Sequence, residues 1–264
     1  MEDRSTGESR SGNPDGRGVA PAPAPADVGI VAALPIEVSD LVDGLKKVWK
    51  YKSVAVPVIE GEYAGKIVAV SIAGMGRAAA RRATDVLVAG HRPRWVISAG
   101  FAGALNPAYA RNDLVLAREV IDRDGGCYAV ELPPGLAANV KYSTGRLLTV
   151  DQLVLRAAEK DELHRTYQAD LVDMESSAVA AICRDQLVRF LAIRVISDDA
   201  HGDLPAEVSG IINSSGSYRV GAALRSVWRR PSSLKDFWSL YEHSLEAADR
   251  LSKFIKRCLD DLPV

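Results

Sequence analysis

The stretch VGIVAALPIEV, residues 28–38, decides the fold. Its first six residues are a continuous apolar run, the pattern of a strand covered on both faces, and Pro35 then opens a segment with helical spacing. A buried strand followed at once by a helix predicts an α/β protein. The helix is expected to run from Pro35 to about Trp49.

Outward from there the alternation repeats. IVAVSIAG (67–74), WVISAG (95–100), LVLAREVID (114–122) and FLAIRVISDD (190–199) read as further apolar strands. MGRAAARRATDVLVAG (75–90) is an Ala-rich helix ended by Gly90. A Gly- and Pro-rich stretch over 125–145 leads into RLLTV, and DLVDMESSAVAAICRD (170–185) joins a short strand to a helix. A long amphipathic helix is expected from Ser232 to about Leu259, with Trp238, Tyr241, Leu245, Ala248, Leu251, Ile255 and Leu259 on one stripe that serves the core or a dimer contact. Residues 1–26 end in PAPAPA and carry almost no large apolar side chain, so they are expected to form a disordered tail before one domain spanning 27–264.

With 264 residues, 47% apolar and 25% charged, the chain can bury one large core. A formal net charge of -1 gives no uniform field to hold a phosphate backbone or an anionic membrane, so nucleic acid and stable membrane insertion are not expected. No run reaches the roughly 18 apolar residues of a membrane span, and the first residues lack the apolar core of a signal peptide. A cytoplasmic protein is the expectation. Cys127, Cys183 and Cys258 lack metal or disulfide spacing and read as free thiols. The four histidines, His91, His164, His201 and His243, lack ligand spacing and read as surface residues, so neither a metal nor a cofactor is expected.

Chemistry concentrates at three strand ends: SIAGMG, ISAGFAG and RVISDDA. Ligands of α/β sheets bind at the carboxyl ends of strands, so these segments are expected to face one crevice, with Gly74 and Gly100 permitting close backbone approach. In DMES, Asp173, Met174 and Glu175 open a helix directly after a strand. Acidic residues there can do no more than favour the positive helix end. Alternatively, Glu175 accepts hydrogen bonds from vicinal ribose hydroxyls while the Met174 thioether packs on the sugar. Ser197, Asp198 and Asp199 suit a helix cap, or else an acid at a buried strand end whose pKa rises until it shares a proton with a purine nitrogen. Glu37 is a first-turn helix charge or a base that orients water beside an anomeric carbon.

Taken together and in order, VGIVAALPIEV, SIAGMGRAAA, VISAGFAGAL, VDMESSAVA and IRVISDDA resemble the methylthioadenosine/S-adenosylhomocysteine nucleosidases and their phosphorylase relatives. The likeness spans roughly residues 28–200. It implies a three-layer α/β fold, with a twisted mixed central sheet flanked by helices, usually in a homodimer, that cuts the N-glycosidic bond of a 5′-substituted adenine nucleoside. Carried over by position, Glu37 matches the carboxylate that activates water and Asp198 the acid that helps protonate the leaving adenine. Met174 and Glu175 match the ribose-binding pair, and Gly74, Gly100, Phe101, Leu153, Val154 and Ser197 fall among the substrate-lining positions. The chain also departs from the family. Phe101 stands where phosphorylases carry a small hydroxyl residue that helps hold phosphate, which implies hydrolysis over phosphorolysis. Leu153 replaces the aromatic residue that stacks on adenine. LRSVWRRPSSL (224–234) is similar to a hopanoid-associated phosphorylase subgroup, so phosphorolysis of a nucleoside or adenosyl-lipid is a second expectation. A non-catalytic nucleoside-binding module is a third.

Overall fold

The computed structural model describes residues 22–51, 56–204 and 233–263, and for 233–243 the backbone alone. Most of the expected tail, residues 224–232 of the LRSVWRRPSSL segment, and the Trp238 and Tyr241 side chains lie outside the described residues. The packed part nevertheless begins earlier than the expected boundary at residue 26. Ala24 and Ala26 are buried, and their N–H groups donate to Glu60 Oε2 at 3.1 Å and to the His91 carbonyl at 2.7 Å.

The strand–helix alternation forms as the apolar runs dictate. β1 is Val28–Ala32, α1 Pro35–Asp43, β2 Lys46–Tyr51, β3 Val58–Tyr63, β4 Lys66–Ile72, α2 Arg77–His91, β5 Trp95–Ala104 and β6 Leu114–Asp122. The chain continues through β7 Cys127–Ala129, β8 Ser143–Thr149, α3 Ala157–Tyr167, β9 Leu171–Asp173, α4 Ser176–Asp185, β10 Arg189–Asp198 and α5 Ser233–Asp261. Every residue of β1 is buried, as its unbroken apolar run requires.

Local chemistry moves several boundaries. α1 stops at Asp43, short of Trp49, because Gly44 caps it with an N–H bonded to the Leu41 carbonyl at 3.1 Å. KKVWKY then pairs antiparallel with β3, where its β-branched and aromatic residues fit an extended edge better than a helix. α2 runs through Gly90, and Arg92 ends it in the left-handed region at φ 43°. Pro93 disfavours a further helical residue before it. In α5, Ala248, Leu251, Ile255 and Leu259 of the expected stripe are buried together with Ala247, Phe254 and Cys258, while Leu245 is 46% exposed. His91 is buried against Glu60, with Nδ1 3.1 Å from Oε2, where a surface position was expected.

The sheet is mixed, in the order β10-β6-β8-β9-β5-β1-β4-β3-β2, with β7 beside β6. β10 also pairs with β5, so β5, β10, β6, β8 and β9 close on one another instead of fanning out as an open twisted layer. A register shift between Ile196 and Asp198 interrupts the β10–β5 ladder at the rim of this closed part. Bulges favour such rims because they bend a strand and re-aim the side chains after it. The largest apolar cluster joins α1 and α5 to the sheet, while a second packs α2 and α4 on it. β1, β4 and β5 run parallel, as do β5 and β10, so their carboxyl ends lie at one end of the molecule. No described helix is long and apolar enough to cross a membrane.

Candidate active site

The loops leaving β1 and β4 run side by side. Ala73 and Gly74 donate their N–H groups to the Ala32 and Ala33 carbonyls at 2.8 and 3.1 Å. Gly74 and Gly76 hold φ of 83° and 89°, a region open to glycine at little steric cost. This brings the start of α1, with Glu37, close to the start of α2.

Glu37 turns inward and is buried. Its Oε2 accepts the Leu34 N–H at 2.8 Å, closing back on the helix start, and its Oε1 accepts the Phe101 N–H at 2.9 Å. The β1–β5 ladder ends at Val31 and Ser98, so the Phe101 amide lies beyond the reach of that strand, and the carboxylate satisfies it. A Cβ on Gly100 would stand 2.7 Å from Glu37 Oε1, so glycine at that position makes room for the acid. Burial raises the Glu37 pKa, against the lowering effect of the Phe101 and Leu34 amides.

Glu175 arrives from β9 at the head of α4. Its Oε1 accepts the Gly76 N–H at 2.6 Å, placing the carboxyl between the amino ends of α2 and α4. Those positive helix ends favour its charge, but burial, then the neighbouring Asp173 charge, outweigh them and push its pKa up to about 8. Burial and the Asp173 charge thus favour its protonated form, which can donate one hydrogen bond as well as accept others.

Between these two carboxyls lies Arg194, a residue that sequence reasoning passed over. It projects from the buried strand β10 and is itself buried. Its Nη2 donates to Asp173 Oδ2, Ser98 Oγ and Ser176 Oγ, each at 2.7 Å, and its Nη1 donates to the Ser98 carbonyl at 2.8 Å. Asp173, expected as a helix-end charge, also accepts the Thr149 hydroxyl at 2.7 Å and the Ser176 N–H at 3.0 Å. The available signal was one arginine inside an otherwise apolar strand, which demands a buried partner. Glu37, Glu175, Arg194, Ser98 and Gly100 together line a cavity of about 10 Å³. That volume is on the scale of one water molecule, in a polar setting that suits one.

Asp198 does not line this cavity. It stands beyond the β10 irregularity, against Gly103, where a Cβ would come within 3.1 Å of its Oδ2. Ser197 Oγ donates to its Oδ1 at 2.6 Å, and Lys160 Nζ donates to its Oδ2 at 2.6 Å. Lys160 lies on α3, a helix too polar in AAEKDELHRTY to be read from its spacing, and it is fully buried. Gly100 and Gly103 are three residues apart on β5, about 10 Å along an extended strand, and each backs one acid.

Of the remaining candidates, Met174 packs against the apolar cluster that contains the buried Val154, together with Leu105, Leu148 and Leu163. Leu153 and Phe101 are half-buried, and the Phe101 ring packs against the main core. A larger hollow of about 500 Å³ opens near Trp95 and Arg189, at the starts of β5 and β10, and none of the candidate residues lines it.

The phosphorylase superfamily matches residues 27–217, from the first strand to beyond Asp198. The chain belongs to that superfamily. Within it, the chain is similar to the 5′-methylthioadenosine/S-adenosylhomocysteine nucleosidases of Shewanella sp. (strain W3-18-1) and Shewanella baltica (strain OS195). Each is 27% identical over 214 residues, which cover 72% of this chain and 93% and 91% of theirs. Its fold is shared with the Helicobacter pylori 5′-methylthioadenosine/S-adenosylhomocysteine nucleosidase bound to butyl-thio-DADMe-Immucillin-A, with a TM-score of 0.70 at 19% identity, covering 90% of this chain and 99% of the other. It is also shared with the Helicobacter pylori futalosine hydrolase, with a TM-score of 0.69 at 19% identity, covering 91% of this chain and 99% of the other. The superfamily match thus takes in both carboxyl-bearing loops, α3 and the end of β10.

Proposed function

We propose that the protein hydrolyses the N-glycosidic bond of an adenine nucleoside bearing a 5′ substituent, of the methylthioadenosine or S-adenosylhomocysteine type. The observation that carries this reading is the cavity shared by Glu37, Glu175 and Arg194 at the carboxyl end of the parallel strands. Cleaving a C–N glycosidic bond passes through an electron-poor, oxocarbenium-like sugar and needs a nucleophile on one side and a stabilised purine on the other. Glu37, desolvated and fixed by two backbone amides, is placed to orient a water and take its proton. Glu175 is the ribose-binding group, through a carboxyl that both donates and accepts. Met174 supplies apolar contact to the sugar, and Asp198 engages the departing base.

Water is favoured over phosphate as nucleophile by charge and volume. Two carboxyls face a space of about 10 Å³ whose guanidinium is already bonded to Asp173. A phosphate dianion there would meet two acids and, among the described lining residues, no unoccupied cation. The relatives named above are nucleosidases and a hydrolase, which supports the same choice.

The test is adenine release from methylthioadenosine, followed in phosphate-free buffer and again with added phosphate. Equal release in both is expected. Release that requires phosphate would make the protein a phosphorylase, and no release from any adenine nucleoside would leave a binding module.

A further inference from the structure

We infer that Lys160 is a positioning residue for the leaving base, acting through Asp198; the inference rests on the nucleoside-cleaving reading above. Lys160 is fully buried, and its ammonium group has three acceptors around it. These are Asp198 Oδ2 at 2.6 Å, the Asp199 carbonyl at 2.6 Å and the Gly202 carbonyl at 3.2 Å. An ammonium has three N–H donors, so this set uses all of them. The same short segment is fastened twice more to the front of α3. Asp203 Oδ1 accepts the Ala157 N–H at 2.8 Å, and the Leu204 N–H donates to the Leu155 carbonyl at 2.8 Å. Lys160 thus ties the end of β10 and the 199–204 segment to α3, and that segment in turn holds Leu155, next to Leu153 and Val154.

The consequence for Asp198 is orientational. Oδ2 accepts from Lys160 and Oδ1 from Ser197, so the carboxylate plane is fixed from both sides. A carboxylate offers about four lone-pair sites, and two remain to accept N–H groups of a bound base. To the expected role of Asp198, helping to protonate the leaving adenine, the contact with Lys160 adds a fixed orientation of its carboxyl group. An ammonium is an expensive way to fill a core, since apolar replacements of buried ion pairs are often neutral or stabilising. Its place here follows from the carboxylate that it holds.

A double-mutant cycle tests this in the full-length protein, with Lys160→Met, Asp198→Asn and the pair together. Turnover of methylthioadenosine per folded protein and equilibrium binding of adenine are both measured. Lys160→Met is expected to lower kcat by about 10²-fold while KM changes little, and to weaken adenine binding as Asp198→Asn does. Added to Asp198→Asn it should cost almost nothing further, because both act through one carboxylate. Unchanged kcat in Lys160→Met, or losses that multiply in the pair, would overturn the assignment. If Lys160→Met does not fold, Lys160→Gln replaces it, and failure of both to fold would make the residue structural only. A wild type that binds adenine but cleaves no adenine nucleoside sinks the proposed reaction, and the binding cycle then judges Lys160 by itself. A wild type that binds no adenine overturns both.

Discussion

The two ends of the site handle charge in opposite ways. At the sugar end, Glu37 and Glu175 lie near one guanidinium that is bonded to a third carboxylate, Asp173, so burial dominates and both pKa values rise. At the base end a single carboxylate meets a single ammonium at 2.6 Å. In the proposed reaction, the first end would hold and pass protons and the second would keep a carboxyl group in a fixed place. Glu37 and Glu175 are buried with no cation among the described residues bonded directly to them, whereas Asp198 has one.

The largest effect should come from removing the proposed base, Glu37. Glu37→Gln is expected to lower kcat by about 10²–10⁴-fold with the fold intact, as steady-state kinetics and circular dichroism will show. An unchanged rate would remove Glu37 from water activation. Next is Arg194→Met, which strands Asp173 and two serine hydroxyls in the core. Loss of about 3–5 kcal/mol of stability is expected in denaturant unfolding, and a loss below about 1 kcal/mol would mean that Asp173 finds another donor. Gly100→Ala should cost about 1–3 kcal/mol from overpacking and displace Glu37, so turnover falls while the Asp198 end still binds adenine.

The most diagnostic effect concerns pH. The folded Glu175 pKa, at about 8, lies above its ordinary value, so the folded state keeps a proton that the unfolded chain gives up earlier. Its contribution is fully present in acid, below the unfolded pKa, and fades as pH rises toward about 8. Wild type should therefore lose stability relative to Glu175→Gln across that window, by at most about 1.4 kcal/mol per pH unit. Parallel melting curves for the two proteins between pH 5 and pH 9 would show instead that no proton is held there.

What was legible in the sequence follows the same physics. β1, β4, β5, β6 and β10 are mostly apolar because most of their residues are covered on both faces. The β2–β3 hairpin was hidden because edge strands such as KKVWKY carry charges, and because VIEGEY buries Glu60 against His91. α3 went unread because its buried positions include a lysine. The same feature concealed part of the site. Glu37, Glu175 and Asp198 stand at strand and helix ends where chemistry is expected, whereas Lys160 and Arg194 sit in segments whose spacing speaks only of packing. Ion pairs between distant segments leave no periodic trace in a single chain.

The two glycines of β5 carry a further consequence. Since Gly100 and Gly103 each give up a side chain to an acid from elsewhere, the strand acts as a ruler whose graduations are peptide units. The separation between the two chemical stations is then written in backbone, which point substitutions in the surrounding loops do not stretch. Loops around the ruler can be exchanged to admit a different 5′ group or base while the span between water and leaving group stays the same.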